Sequence, residues 1–222
     1  MDAIMQSSDH DAAISDCRIY KLPSGGRKMK VITLNREYGA GGHSIGTVVA
    51  KELGIEIYDR DIIRRTAAEM DLDYAQIEKN EEEISRGESI IRHITPISYE
   101  QKDYLYEVQK KVILDFAKSG PCVILGRCGD AILKEAGIPS LDVFLYADDA
   151  HRKIWVRQHI GSTNDAEVLK YMRRQERARK AYYEVYTGKQ FGDRHNYDLL
   201  LDSGKLGYDT CAKLIIALAK AE

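Results

Sequence analysis

Apolar residues recur along the chain in two alternating arrangements: short β-branched runs, and longer stretches with helical spacing. Lys30-Val31-Ile32-Thr33-Leu34 reads as a buried strand, since Val, Ile and Thr pack well on a pleated backbone. Ser44–Leu53 then sets Ile45, Val48, Val49 and Leu53 on one helical face, and Gly54 stops that helix. The same reading gives a strand at Ile55–Tyr58, a helix at Arg60–Met70 and a strongly acidic helical stretch at Tyr74–Arg86. A long helix over Ser98–Lys118 is followed by a strand at Cys122–Leu125, a helix near Asp130–Ala136 and a strand at Leu141–Tyr146. Asp148 suits the cap of a helix reaching about His159, and Ser162 the cap of a longer one over Asp165–Tyr186. Tyr197–Leu201 is the last strand and Tyr208–Ala219 the closing helix.

Strands alternating with helices imply an α/β fold, a five-stranded parallel sheet with helices on both faces. Residues 1–28 lack periodicity, contain Pro23-Ser24-Gly25-Gly26, and read as a flexible N-terminal extension to a single domain over 29–222. The extension carries Asp2, Asp9 and Asp11 and no continuous apolar segment, unlike a signal peptide, so a cytoplasmic setting is expected.

Composition narrows the function. Of 222 residues, 44% are hydrophobic and 31% charged, enough for an ordinary core. The longest apolar runs, such as Leu214–Ala219, fall far short of the roughly 20 residues that span a bilayer, so no membrane partner is expected. Lys plus Arg number 33 against 35 acids, a balance that argues against a nucleic-acid partner. Four cysteines (Cys17, Cys122, Cys128, Cys211) form no C-x-x-C pair and read as reduced thiols. The six histidines never fall at metal-ligand spacing, and no Ser/His/Asp set is readable.

The candidate chemistry begins after the first strand, at Asn35-Arg36-Glu37-Tyr38-Gly39-Ala40-Gly41-Gly42-His43-Ser44. Closely spaced glycines let a backbone turn its N–H groups inward, and the following helix adds unpaired donors and a positive dipole end, a setting made for phosphate. Two templates compete. The dinucleotide pattern G-x-G-x-x-G, counted from Gly39, ends on Ser44, yet Asp59 lies 20 residues beyond Gly39 where such a fold binds a ribose. The mononucleotide loop G-x-x-x-x-G-K-[ST] maps its second glycine to Gly41 and its hydroxyl to Ser44 with one inserted residue, Gly42 standing at the lysine. Spacing alone leaves both open.

Ile32–Gly42, Tyr58-Asp59-Arg60-Asp61-Ile62-Ile63, Gly126-Arg127-Cys128-Gly129 and Ala181–Gly188, running on into Gly192-Asp193 and Asn196–Leu199, together resemble the cytidylate kinase-like family of P-loop nucleoside-monophosphate kinases. The resemblance implies transfer of the γ-phosphate of ATP, as its Mg²⁺ complex, to a nucleoside monophosphate, CMP or dCMP by kinship. It implies a nucleotide-binding loop of Gly39, Ala40, Gly41, Gly42, His43, Ser44 and Ile45, with the Ser44 hydroxyl toward Mg²⁺. The family pattern reads R-x-x-G-x-G-G, which leaves Arg36 as the nearest cation for the phosphate that the lysine of other P-loop kinases neutralises. It implies acceptor binding by Asp59, Arg60, Arg65 and Arg127, an acceptor-binding helical insert over 60–97, and a lid over 162–194 whose Arg173, Arg177 and Arg179 close on the transferring group. Cys128 stands where cytidylate kinases carry an aspartate that helps recognise cytosine. A second reading, motivated by Gly42 and Cys128, is a nucleotide-binding module that does not turn over. A third, motivated by Asp59, is a dinucleotide-dependent oxidoreductase.

Overall fold

The computed structural model describes residues 31–69 and 99–221. The extension expected over 1–28 and the acidic helix expected over Tyr74–Arg86 lie outside them, as does most of the 60–97 insert.

Five strands form one parallel sheet: β1 (Val31–Arg36), β2 (Glu56–Tyr58), β3 (Cys122–Leu125), β4 (Ser140–Tyr146) and β5 (Leu199–Asp202), in the order β2-β3-β1-β4-β5. The helices are α1 (Gly42–Leu53), α2 (Arg60–Glu69), α3 (Tyr99–Ser119), α4 (Gly129–Glu135), α5 (Asp149–Ile160), α6 (Asp165–Thr187), α7 (Ser203–Leu206) and α8 (Tyr208–Lys220), with a 3₁₀ turn at Arg194–Asn196. The strand order decides between the two loop templates. A dinucleotide fold lays its second strand beside the first, whereas here β3 separates β1 from β2. The mononucleotide arrangement remains.

Alternation along β1 explains the layering. Ile32 and Leu34 pack with Ile45 and Val49 of α1 and Ala212 and Ile215 of α8. Val31, on the other face, joins Ile62 of α2, Ile113 of α3, Leu133 of α4 and Tyr183 of α6. Each of the buried Val, Ile and Leu side chains among these contributes about 1.5–3 kcal/mol of burial. A third cluster, Tyr38 with Val156, Val168 and Met172, fastens α5 and α6 over the end of β1.

Element limits shift for identifiable reasons. β1 runs past Leu34 because Asn35 and Arg36 continue the ladder opposite Phe144 and Leu145. α1 starts at Gly42 rather than Ser44, since Gly41 already turns the chain in the left-handed region (φ 77°). β5 begins at Leu199 because the 3₁₀ turn occupies the preceding residues. Asp148 caps α5 as expected, accepting from the His151 N–H at 2.7 Å. Ser162 does not cap α6. Asn164 does, accepting from the Ala166 and Glu167 N–H groups, while the Ser162 hydroxyl donates to Glu167.

Candidate active site

The site forms at the carboxyl edge of the sheet, where β1 and β3 both end in arginine-bearing turns. After Arg36 the chain makes the loop Glu37–Gly41, and Tyr38 through Gly42 are all buried. Gly41 is irreplaceable on two counts: its positive φ, and the Tyr208 ring that a Cβ there would overlap. His43 and Ser44 emerge exposed on the first turn of α1, whose N-terminus carries no side-chain cap. Such a helix start offers amide donors and a positive dipole end to an anion. The Ile45 side chain lies in the core and its N–H bonds to the Gly41 carbonyl at 2.9 Å, while the Ala40 N–H bonds to Glu37.

Arg36 turns back beneath this loop. A Cβ on Gly42 would sit 2.8 Å from the Arg36 Cγ, and one on Gly126 2.5 Å from Nη1. Two glycines from different turns therefore make the slot that holds one arginine. The Arg36 Nη2 lies 3.7 Å from Asp59, whose other oxygen is 3.1 Å from the His43 ring. From α6, the Arg179 Nη1 donates to the Arg36 carbonyl at 3.2 Å, and its guanidinium covers the Tyr38 ring at 4.9 Å. Burial, then the charge of Arg36, push Arg179 down to about 9, against the opposing pull of Glu176. Burial likewise lowers Arg36; Asp59 opposes the shift and Arg127 adds to it. Arg127, in the turn after β3, adopts φ 56° and accepts at its carbonyl from Gln109 at 3.4 Å. Guanidinium groups that disfavour one another's charge in a buried site gain from a shared oxyanion.

Behind the loop lies a second charged tier that sequence reasoning missed. The Tyr38 N–H donates to the Glu176 Oε2 at 2.6 Å. Arg152 of α5 sets Nη1 3.2 Å from the same oxygen and 3.5 Å from Glu37, and Nη2 2.7 Å from Asp149. Its side chain is only 11% exposed, and its Nε has no hydrogen-bond partner among the described residues. Glu37 accepts from the Ala147 N–H at 3.2 Å, although burial raises its pKa. Arg152 and Glu176 sit in ordinary-looking charged helices, and only the fold brings them to the loop. Arg173 and Arg177, exposed on α6, line a cleft of about 240 Å³ with Asp149, Arg152, Met172 and Glu176. Beyond Tyr208, a second cleft of about 320 Å³ is lined by His151, Ile154, Trp155, Gln158 and Gly207.

Thus Arg36, Gly41, Gly42, His43, Asp59, Arg127 and Arg179 come together. Arg65 does not join them by its pairings: its Nη2 is 2.9 Å from Asp115, its Nε is 3.3 Å from Glu69, and it covers Phe116. Arg60 opens α2 beside Asp59. Cys128 is buried with its thiol pushed up to about 12, so its side chain packs rather than greets a ligand. Asp130, two residues on, is also buried and accepts from Asn35 at 2.8 Å and from the Tyr183 hydroxyl at 2.7 Å, fixing the ends of β1 and α6. Tyr182 accepts from Gln109 and Tyr186 stacks on Tyr106, so the tyrosines after the arginine run dock α6.

The donor set fits a polyphosphate and its cation. Ser44 offers a hydroxyl on the exposed first turn, and among the described residues no three His, Cys, Asp or Glu side chains cluster to hold a metal by themselves. A single exposed hydroxyl is the kind of protein ligand that Mg²⁺ takes alongside phosphate oxygens. No helix among the described residues is long and apolar enough to cross a membrane.

Comparison with known proteins agrees with this architecture. An uncharacterized protein from Eubacterium ventriosum superimposes with a TM-score of 0.64 at 21% identity, covering 86% of this chain and 99% of that one. Shikimate kinase from Bacteroides thetaiotaomicron does so with a TM-score of 0.51 at 13% identity, over 86% and 98% of the two chains. The fold is therefore P-loop NTPase-like. Cytidylate kinases from two Methanococcus maripaludis strains, C5 and S2, are 29% and 30% identical over 100 residues, 45% of this chain. The chain spans about half, 55%, of the length of these curated relatives. Residues 31–205, from the start of β1 into α7, match the family model as a unit, and the chain belongs to the cytidylate kinase-like family.

Proposed function

We propose that this chain is an ATP-dependent phosphotransferase that moves the γ-phosphate to a nucleoside monophosphate, with CMP or dCMP the acceptor by kinship. The observation that carries the reading is Arg36, held in the Gly42–Gly126 slot with Arg179 bonded to its carbonyl. In this reading the partly buried Arg36 does the work that a lysine does in other P-loop kinases, and the absent side chain of Gly42 makes room for it.

In this reading the amides of Gly42, His43 and Ser44 receive the phosphate chain at the start of α1. Arg36 and Arg179 stabilise the charge on the transferring group, with no covalent intermediate on the enzyme. Ser44 would hold Mg²⁺, which would supply neutralisation of phosphate charge. The cleft beside Tyr208 and Trp155 offers aromatic faces to a base. Arg127 and Asp59 form the acceptor side with Arg60 at the start of α2, and Arg65 would join them only by exchanging Asp115 and Glu69 for the acceptor phosphate. Residues 162–194 act as a lid: α6 carries Arg179 into the site and Arg173 and Arg177 to its rim, excluding water on closure.

A coupled assay across the common nucleoside monophosphates tests the proposal. ADP formation that depends on an added pyrimidine monophosphate is expected, and flat rates for every acceptor would defeat it. A second reading, a nucleotide-binding module without turnover, is favoured by the burial of Cys128, which removes a side-chain contact to the base at that position. Calorimetric binding of ATP without phosphoryl transfer would select it.

A further inference from the structure

The Tyr38 amide belongs to the loop that would receive phosphate, and it is already engaged. Its N–H donates to the Glu176 Oε2 at 2.6 Å, a short charge-assisted bond to a residue 138 positions away on α6. The same oxygen lies 3.2 Å from the Arg152 Nη1, and the charge of Glu176 stabilises the guanidinium form of Arg179. One carboxylate thus faces a loop amide and the charge of two arginines, the partners a phosphate oxygen would take.

We infer that Glu176 is an internal stand-in for phosphate: it latches α6 to the loop in the free chain, and an incoming phosphate must displace it. The inference rests on the phosphate reading of the loop.

Two features let the latch open without orphaning its partners. Arg152 keeps Asp149 at 2.7 Å and Glu37 at 3.5 Å when Glu176 leaves, so no buried guanidinium is stranded. Glu176 is itself 25% exposed and lines the cleft between α5 and α6, where its carboxylate can hydrate. The latch makes the loop's anion affinity lower than its amides and arginines would otherwise give, and ties that affinity to the position of α6.

The test is calorimetric titration of inorganic pyrophosphate into the wild-type chain, Glu176→Gln, Glu176→Ala, and Glu184→Gln as a removal of one charge elsewhere on α6. Circular dichroism melts establish that each variant is folded, the near-isosteric glutamine being the safer of the pair. Both Glu176 variants are expected to bind pyrophosphate at least about tenfold tighter than wild type, since a charge within a few ångströms of the anion is removed. Glu184→Gln is expected to change affinity less than about twofold, as distant surface charges do. Binding seen only in the Glu176 variants also supports the latch. Equal or weaker binding by both Glu176 variants while wild type binds overturns the latch and leaves the phosphate reading standing, and so does equal tightening by Glu184→Gln. Absence of binding in all four proteins overturns both.

Discussion

The Nη1 of Arg179 donates to the main-chain oxygen of Arg36 at 3.2 Å, joining α6 to the end of β1 across 143 residues of sequence. The bond holds two partly buried like charges side by side, which is stable only to the extent that neighbouring acids offset them. Asp59 and Glu176 do so in part.

From this pair comes a prediction about charge. Burial and the charge of Arg36 both lower Arg179, and a bound anion would offset that by favouring the charged form. A guanidinium keeps its proton across the working pH range, so its role is read by substitution. Arg179→Gln should weaken anion binding about tenfold or more, and calorimetry showing unchanged affinity would contradict this.

Gly42→Ala tests the slot. Alanine in a helix normally gains about 0.5–1 kcal/mol over glycine. Here the new Cβ would stand 2.8 Å from the Arg36 Cγ, so the variant should lose stability and anion affinity together. A raised melting temperature would refute the packing account.

Much of the fold was legible because short β-branched runs and their glycine stops are local signals. All five strands fell within two residues of their expected start, and the glycine loop lies where β1 meets α1, as expected. What stayed hidden depends on residues far apart in sequence. Arg65 looked available but is committed to Asp115 and Glu69 through α3 and its own helix. Arg152 and Glu176 carry no motif, and become site residues only when α5 and α6 close over Tyr38. Asp130 sits two positions beyond Cys128, yet only the fold places Asn35 and Tyr183 on its two oxygens.

That buried trio gives a stability prediction. Tyr183→Phe removes the donor to Asp130 and leaves a buried carboxylate oxygen without that bond, at a cost of about 1–3 kcal/mol. Denaturant unfolding should show the loss as a lower midpoint with an unchanged slope. An unaltered midpoint would mean that water replaces the hydroxyl.

The thiols offer an independent check on the core. Cys122 and Cys128 are buried and pushed up to about 11 and about 12, and burial also raises Cys211. These three should resist alkylation in the native chain near neutral pH and react on unfolding. Rapid native labelling of Cys128, read by mass spectrometry, would contradict its place beneath the β3 turn.

The most direct test of the central claim is a calorimetric titration of ATP with Mg²⁺ into the wild-type chain and into Arg36→Gln. The proposal that Arg36 serves as the phosphate-neutralising cation predicts saturable one-to-one binding that Arg36→Gln weakens at least about tenfold. Wild-type binding that Arg36→Gln leaves unchanged, or no binding by either protein, would contradict it.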